Sequence, residues 1–552
     1  MRRRIPRATP TSEEQLADLR KLEDSGAAGL EFWTSPAHLS ESVAIAVEPD
    51  VAPILVEFLN KRSIGHETKV DNLQSLIDEE MAALLAEDDA DWITSRDVSK
   101  SNYNLASYNR LRQINMRMRE MAKSHPTLMT VSSIGTTYEG RSIDMAKLSL
   151  QDGKTRKSVW LDCGIHAREW VSPAFCMFTI GKLLEQGANG PLASFNFYMV
   201  PVANPDGYEY TWNTNRMWRK NRRPSGSVFA KAGAPDATVE AESPVVQVEA
   251  VGVLAREAID VKEDAKEQVA VKANVLSDEE SNNSLESTEQ EDDSSASVSL
   301  KQFWPGSFYP QQQQPLYPQY PQLGSPGVGA GYPASQGAGY PTTQGTGYPP
   351  SQGSGFPQAG QGAGNVGSGN PKCSGVDPNR NFPAKWAEVG SSNSICQDTF
   401  HGPQPFSEAE SIAIRDAVRA IMASGSPLVS FVSVHAYSQF WMSPYGFKKG
   451  KSPDHADHER VMGQAVRALQ SKYGTQFKYG PINKVIYQAS GSSVDWAYDN
   501  EGIKYSFALE LRDTGRYGFL LPADQITPTN EETWAGLVAM VNAIKAEYPV
   551  SG

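Results

Sequence analysis

Strand-like and helix-like periodicities alternate through the first 87 residues. A capping-box pattern at residues 11–14 (TSEE) precedes apolar positions Leu16, Leu19 and Leu22, which predicts an amphipathic helix. LEFW (30–33) and SVAIAV (42–47) read as strands, and VAPILVEFLNKR (51–62) as a second helix. A strand near 66–70 then leads into the helical pattern NLQSLIDEEMAALLAE. With residues 5–9 as the first strand, the order is β-α-β-β-α-β, which suits a ferredoxin-like sandwich of two helices on an antiparallel sheet. Residues 1–87 are therefore expected to form a small α+β module. The polar stretch DDADWITSRDVSKS reads as an exposed connector over 88–100, with Arg96 and Lys100 open to cleavage.

Beyond it the runs lengthen. SVWLDCGI (158–165), FNFYMVPVAN (195–204), PLVSFVSVHAY (427–437) and KYSFALEL (504–511) are strongly apolar strand candidates. Helical patterns lie around 107–123, 172–184, 407–422, 458–473 and 531–547. Such alternation predicts an α/β domain whose sheet is largely buried, with chemistry gathered where strands end.

Composition then splits that domain in two. The chain has 552 residues with 51 basic and 64 acidic side chains, a formal net charge of −13. Residues 225–300 carry 17 acidic and 5 basic residues, a net of −12. Residues 301–371 hold 16 Gly and 12 Pro with one charge, Lys301, and repeat every eight residues: GYPASQGA, GYPTTQGT, GYPPSQGS. This composition buries too little apolar surface to offset chain entropy, so 225–371 is expected to be a disordered insertion between catalytic segments 101–224 and 372–552. What remains is near neutral, and the acidic balance argues against nucleic acid or an anionic membrane as partner. No run of about 18 apolar residues occurs, which excludes a transmembrane helix.

Candidate chemistry begins at His166-Ala167-Arg168-Glu169, directly after SVWLDCGI. A His and a carboxylate three apart can bind one Zn²⁺, with a third ligand and a water completing the site. The tetrapeptide alone is weak, because His38-Leu39-Ser40-Glu41 has the same form in the first module. Only His166 closes an apolar strand. Among eight His, His435 at the end of PLVSFVSV is the best third ligand, although a lone core His is the commoner case; His125, His401, His455 and His458 read as surface residues. In FALELRD, Glu510 sits on a strand where Glu is rarely found unless paired or functional; it is either the ion-pair partner of Arg512 or a general base. NRMWRKNRRP (215–224) and VDPNRNFP (376–383) supply arginines suited to a carboxylate or an oxyanion.

LDCGIHAREW, NRMWRKNR, GVDPNRNF, SVHAYSQ, IYQASGSSVDW and FALELRDTGRYGFLLPA, in this order, resemble the signature segments of zinc metallocarboxypeptidases of the digestive A/B type. The resemblance covers roughly residues 6–224 and 372–552. It implies an activation propeptide of ferredoxin-like fold, then an α/β/α sandwich around a mixed eight-stranded sheet. One Zn²⁺ per catalytic domain would be held by His166, Glu169 and His435. Glu510 would be the general base and Arg219 the oxyanion arginine. Asn379 and Arg380 would grip the substrate's terminal carboxylate, Tyr487 would close over it, and Arg168 and Tyr437 would line outer subsites. Asp377 would hold the second nitrogen of His166.

The resemblance also implies a specificity pocket of Val494, Ile482, Ala508 and Met442, none charged, and hence aromatic or large aliphatic C-terminal residues as substrate. Disulfides Cys163–Cys176 and Cys373–Cys396 would follow, and with them secretion. MRRRIPRATP has the charge of a leader but no apolar core, so the natural N-terminus is expected upstream. A trypsin-like protease cutting near Arg96 would activate a monomeric zymogen acting on peptide or protein C-termini. The alternatives are a B-type enzyme for basic residues, and a non-enzymatic matrix or binding protein built on the Gly/Tyr/Pro repeats.

Overall fold

A computed structural model describes residues 3–94, 102–224 and 373–551, all within one compact unit. Arg96 and the insertion at 225–371 lie outside the described residues.

The N-terminal module runs β1 (Ile5–Thr9), α1 (Glu13–Asp24), β2 (Leu30–Phe32), β3 (Val43–Val47), α2 (Ala52–Lys61), β4 (Gly65–Val70) and α3 (Leu73–Thr94). Its sheet has the order β2-β3-β1-β4 with every pairing antiparallel, as the ferredoxin-like order requires. The helix cap falls one residue later than expected: Ser12, not Thr11, accepts from the Gln15 N–H. α3 also continues through Thr94, so the first part of the expected connector is helical.

All five residues of β3 are buried. Val43, Ile45 and Val47 pack with Leu19, Leu22, Leu55 and Phe58 of the module itself. Ala44 and Ala46 point the other way, into the apolar cluster that contains Tyr437 and Phe519 of the large domain. The module therefore covers its open sheet face with its own enzyme.

The large domain has an eight-stranded mixed sheet, β11-β10-β12-β9-β7-β8-β6-β5. These strands are β5 (Met129–Thr136), β6 (Ser142–Leu148), β7 (Ser158–Cys163), β8 (Asn196–Val200), β9 (Leu428–Ala436), β10 (Phe440–Ser443), β11 (Lys478–Pro481) and β12 (Tyr505–Leu511). The central four, β12-β9-β7-β8, are mutually parallel, so their C-terminal ends share one edge. Four helices pack on one face: α4 (Leu111–Ser124), α5 (Val171–Gln186), α8 (His455–Tyr473) and α10 (Ile526–Ile544). On the other lie α7 (Ala409–Met422) and α9 (Ser493–Asp499); α6 (Pro205–Asn213) follows β8.

Two expected surface histidines are inside. His458 is fully buried, with Nε2 bonded to the Lys504 carbonyl at 2.7 Å, and His401 is buried beside the Gly402 carbonyl at 2.7 Å. His458 is held by a carbonyl 46 residues along the chain and His401 by that of its neighbour, which a charged or Gly-rich sequence context does not reveal.

The described ends flanking the insertion are zipped together. Gly375 N–H donates to the Arg223 carbonyl and Asn221 N–H to the Val376 carbonyl, both at 3.0 Å. A Cβ on Gly375 (φ +72°) would lie 2.2 Å from the Asn221 carbonyl oxygen, so this approach requires glycine. Closing a long loop across adjacent ends costs little, about 0.6 kcal/mol per doubling of its length.

Candidate active site

After β7 the chain turns at Gly164 (φ +62°), where a Cβ would press on Pro173. The Ser172 hydroxyl ties this turn down, accepting from Gly164 N–H at 3.0 Å and donating to the Val434 carbonyl of β9. His166 and Glu169 are thereby fixed against the end of β9, which carries His435.

All three side chains are buried, and their ligand atoms lie within 4.8 Å of one another. His166 Nδ1 is 2.9 Å from Glu169 Oε1, His435 Nδ1 is 3.1 Å from Glu169 Oε2, and the two Nδ1 atoms are 3.1 Å apart. Two imidazole nitrogens and a carboxylate converging at a strand end fit a tetrahedral zinc with one open position. Behind them, Asp377 Oδ1 meets His166 Nε2 at 3.0 Å, and its Oδ2 accepts from Arg219 at 2.9 and 3.1 Å. Burial opposes the charged form of Asp377, but Arg219, His166 and Arg380 outweigh it and hold the carboxyl well below the usual range. Arg219 Nη1 also stands 3.7 Å from Glu169.

Glu510 is the register partner of His435 on the adjacent strand, at the mouth of the same cleft. Arg512 is not its partner: that guanidinium is bound by Glu532, with Nε–Oε1 at 2.6 Å. Burial first, then the Glu169 charge, push the Glu510 carboxyl well above its ordinary range, while Arg219 and Arg380 act against them.

A short turn, Pro378–Arg380, carries Asn379 and Arg380. Arg380 Nη2 donates to the Tyr487 hydroxyl at 3.1 Å, and its Nε donates to the Gly390 carbonyl. The Asn379 amide nitrogen is 3.1 Å from His435 Nε2, and its oxygen accepts from Ser493 N–H at 2.9 Å. Met442, Ile482, Val494 and Ala508 share one buried apolar cluster on this face of the sheet. Asp495, next to Val494, is fully buried and accepts from Gly446 and Phe447 N–H groups at 2.9 and 3.1 Å; burial pushes it up to about 7. Tyr437 packs edge-on against Phe519 at 5.0 Å. The structure joins Cys163 to Cys176 and Cys373 to Cys396.

Arg168 is already occupied. Glu31 of the N-terminal module accepts from its Nη1 at 2.5 Å, Asp398 lies 3.2 Å away, and the guanidinium stacks 4.2 Å from Phe519. A second contact of this kind joins Glu80 of α3 to Arg216 at 2.6 Å. Neither acidic residue stood out in sequence, because a surface Glu on a small module carries no signature.

A third omission did leave a signal. Asp162 is a fully buried carboxylate inside SVWLDCGI, accepting from Trp160 Nε1 at 2.9 Å and from the Ser433 hydroxyl at 2.8 Å. Burial raises it to about 6, against these two bonds. The argument that singled out Glu510, a carboxylate on an apolar strand, applies equally to it.

A buried His₂Glu cluster at the parallel edge of a mixed sheet, sealed by a small α+β module, defines a mononuclear metallohydrolase held in latent form. The chain belongs to the zinc carboxypeptidase family, whose profile matches residues 114–241 and 349–536, while the carboxypeptidase activation peptide profile matches residues 7–80. It is 30% identical to rat carboxypeptidase A2 over 97% of this chain and 92% of that protein. Human carboxypeptidase A1 is equally similar, 30% identical over the same shares. The crystal structure of carboxypeptidase A from Helicoverpa armigera superposes with a TM-score of 0.64 at 21% identity, over 99% of this chain and 98% of that one. The protein is thus a zinc-dependent metallocarboxypeptidase zymogen, and residues 3–94 lie largely within its activation peptide.

Proposed function

We propose that the activated enzyme removes aromatic or large aliphatic residues from peptide C-termini. The observation that carries this reading is the apolar Met442–Ile482–Val494–Ala508 cluster, with the carboxylate next to Val494, Asp495, engaged by backbone N–H groups. A basic substrate side chain would meet apolar walls there, and the Asp495 carboxylate is already engaged.

His166, Glu169 and His435 hold the metal in this reading, and Asp377 orients His166. A zinc held there would supply Lewis-acid chemistry, lowering the pKa of a water and polarising the scissile carbonyl. Glu510 takes the proton from the attacking water and passes it to the departing amine. Arg219, fixed by Asp377, faces the charge that develops on the carbonyl oxygen. Arg380 with Asn379 pairs the terminal carboxylate, and Tyr487 closes over it. An internal peptide bond would leave Arg380 without its anion, which restricts the enzyme to chain ends.

Activation follows cleavage near Arg96 by a trypsin-like protease, and the enzyme acts as a monomer outside the cell. Two disulfides support an oxidising compartment. Among the described residues no helix is long and apolar enough to cross a membrane.

The test is limited trypsin digestion followed by assay on blocked dipeptides ending in Phe, Leu or Arg. Chelator-sensitive release, fastest for Phe, is expected only after cleavage. Faster release of Arg overturns the specificity. The Glu510→Gln enzyme should keep its zinc and lose activity by about 10²–10⁴-fold.

A further inference from the structure

The two histidines of the metal cluster are backed differently. His166 Nε2 meets the Asp377 carboxylate directly, at 3.0 Å. His435 Nε2 has two neighbours instead, the Asn379 amide nitrogen at 3.1 Å and the Ser433 hydroxyl at 3.2 Å. Asn379 offers only its N–H₂ group there, since its oxygen is engaged by Ser493 N–H.

A metal bound through His435 Nδ1 needs the ring proton on Nε2, and that proton needs an acceptor. The Asn379 amide cannot provide one, and it favours the opposite tautomer. Ser433 Oγ can, provided its own proton points elsewhere. Asp162 settles that direction, because its Oδ2 lies 2.8 Å from Ser433 Oγ and an ionised carboxylate only accepts. Trp160 Nε1 pins the other oxygen at 2.9 Å. The sheet builds this arrangement into its register. Asp162 of β7 is paired with Ser433 of β9, and Trp160 and His435 lie two residues away on the same faces of their strands.

We propose that Asp162, acting through Ser433, is a positioning residue of the zinc centre: it fixes His435 in the tautomer that presents Nδ1 to the metal. Each ligand histidine then has a carboxylate behind it, one directly and one through a hydroxyl. This rests on His435 being a zinc ligand, so the His435→Ala enzyme is the control.

The test measures zinc affinity by chelator competition, with the melting temperature of the apo-protein alongside, on the full chain. Ser433→Ala should weaken zinc binding by about 10–100-fold. Asp162→Asn should weaken it comparably, since the Asn amide can donate to Ser433 and reverse the hydroxyl. Ser433→Thr, which keeps the hydroxyl, should restore affinity. Adding Asp162→Asn to Ser433→Ala should weaken zinc no further, because the relay is already cut. Wild-type affinity in Ser433→Ala, or equal loss in Ser433→Thr and Ser433→Ala, overturns the proposal. Should Asp162→Asn fail to fold, the Ser433 pair still decides. An unchanged zinc affinity in His435→Ala would instead overturn the ligand assignment itself.

Discussion

At the end of β7, His166 and Glu169 turn inward; in the loop between β2 and β3, His38 and Glu41 form the same His-x-x-Glu tetrapeptide and build nothing of the kind. The first pair is buried, meets a third donor in His435, and is backed by Asp377. In the second, Glu41 is spent on a surface ion pair with Lys478 at 2.7 Å. His38 lines a cavity of about 490 Å³ with Lys451, Lys478 and Lys484 as well as His455 and Glu459, and among the described residues no three of these donors converge within 4.8 Å. The tetrapeptide only spaces two donors. A site further needs a third donor from a neighbouring strand and a carboxylate to orient the imidazole. One pair belongs to the machinery and the other to the module that covers it.

Metal content tests this contrast most sharply. The uncut chain should hold one zinc, lose it in His166→Ala or Glu169→Ala, and keep it in His38→Ala or Glu41→Ala. Activity after trypsin should fall at least about a thousandfold in the first two, since water activation and carbonyl polarisation both go. A second equivalent of zinc that disappears in Glu41→Ala would break the distinction.

The module engages Arg168, the residue proposed to line an outer subsite. Glu31 is buried between Arg168 of the enzyme and Arg3 of its own module, so removing its charge takes a buried partner from both guanidinium groups and leaves them Asp398 and Glu48. Glu31→Gln should loosen the cleaved module by about 2 kcal/mol or more, roughly thirtyfold in its dissociation constant. Residual inhibition after trypsin, titrated against protein concentration, measures this. Inhibition unchanged from wild type would show that apolar contacts, such as Trp33 on Phe519 at 5.2 Å, carry the docking instead.

The parts that were readable in sequence are those whose signal is local. The four most apolar strands are the parallel centre of the sheet, because strands buried on both faces have continuous apolar runs. Flanking strands β5, β6, β10 and β11 carry polar or short patterns and gave no comparable signal. The ligand and arginine motifs could be placed by family resemblance, and the structure brings them into one cleft. Burial that depends on partners far along the chain could not be read. β3 is an apolar run, VAIAV, but that the enzyme is what covers its second face is not written in it. His458 looks like a charged helix start, yet the Lys504 carbonyl receives its ring. Asp162 was readable, and only its neighbour across the sheet explains it.

The smallest expected effect concerns Glu23, near the end of α1. Burial pushes its carboxyl up to about 7 from an ordinary 4.5; the Ser35 hydroxyl, Arg20 and Arg380 pull it down, and Asp24 pushes it further up. Arg380 is the proposed carboxylate anchor, so part of this environment exists only while the module is docked. A carboxyl raised in the docked state binds its proton more tightly there than after release. The share of that burial supplied by the enzyme contributes to docking fully below about pH 4.5 and is lost as pH rises through about 7. After the connector is cut, the module should dissociate more readily at pH 8 than at pH 5.5, by about three- to tenfold through this group alone. Glu23→Gln isolates the contribution, because the difference between its pH profile and that of the wild type removes every other titrating group. A difference profile in which wild-type docking strengthens from pH 5.5 to 8 would mean that the Arg380 charge, rather than burial, dominates at Glu23, and that this corner of the module docks as an anion.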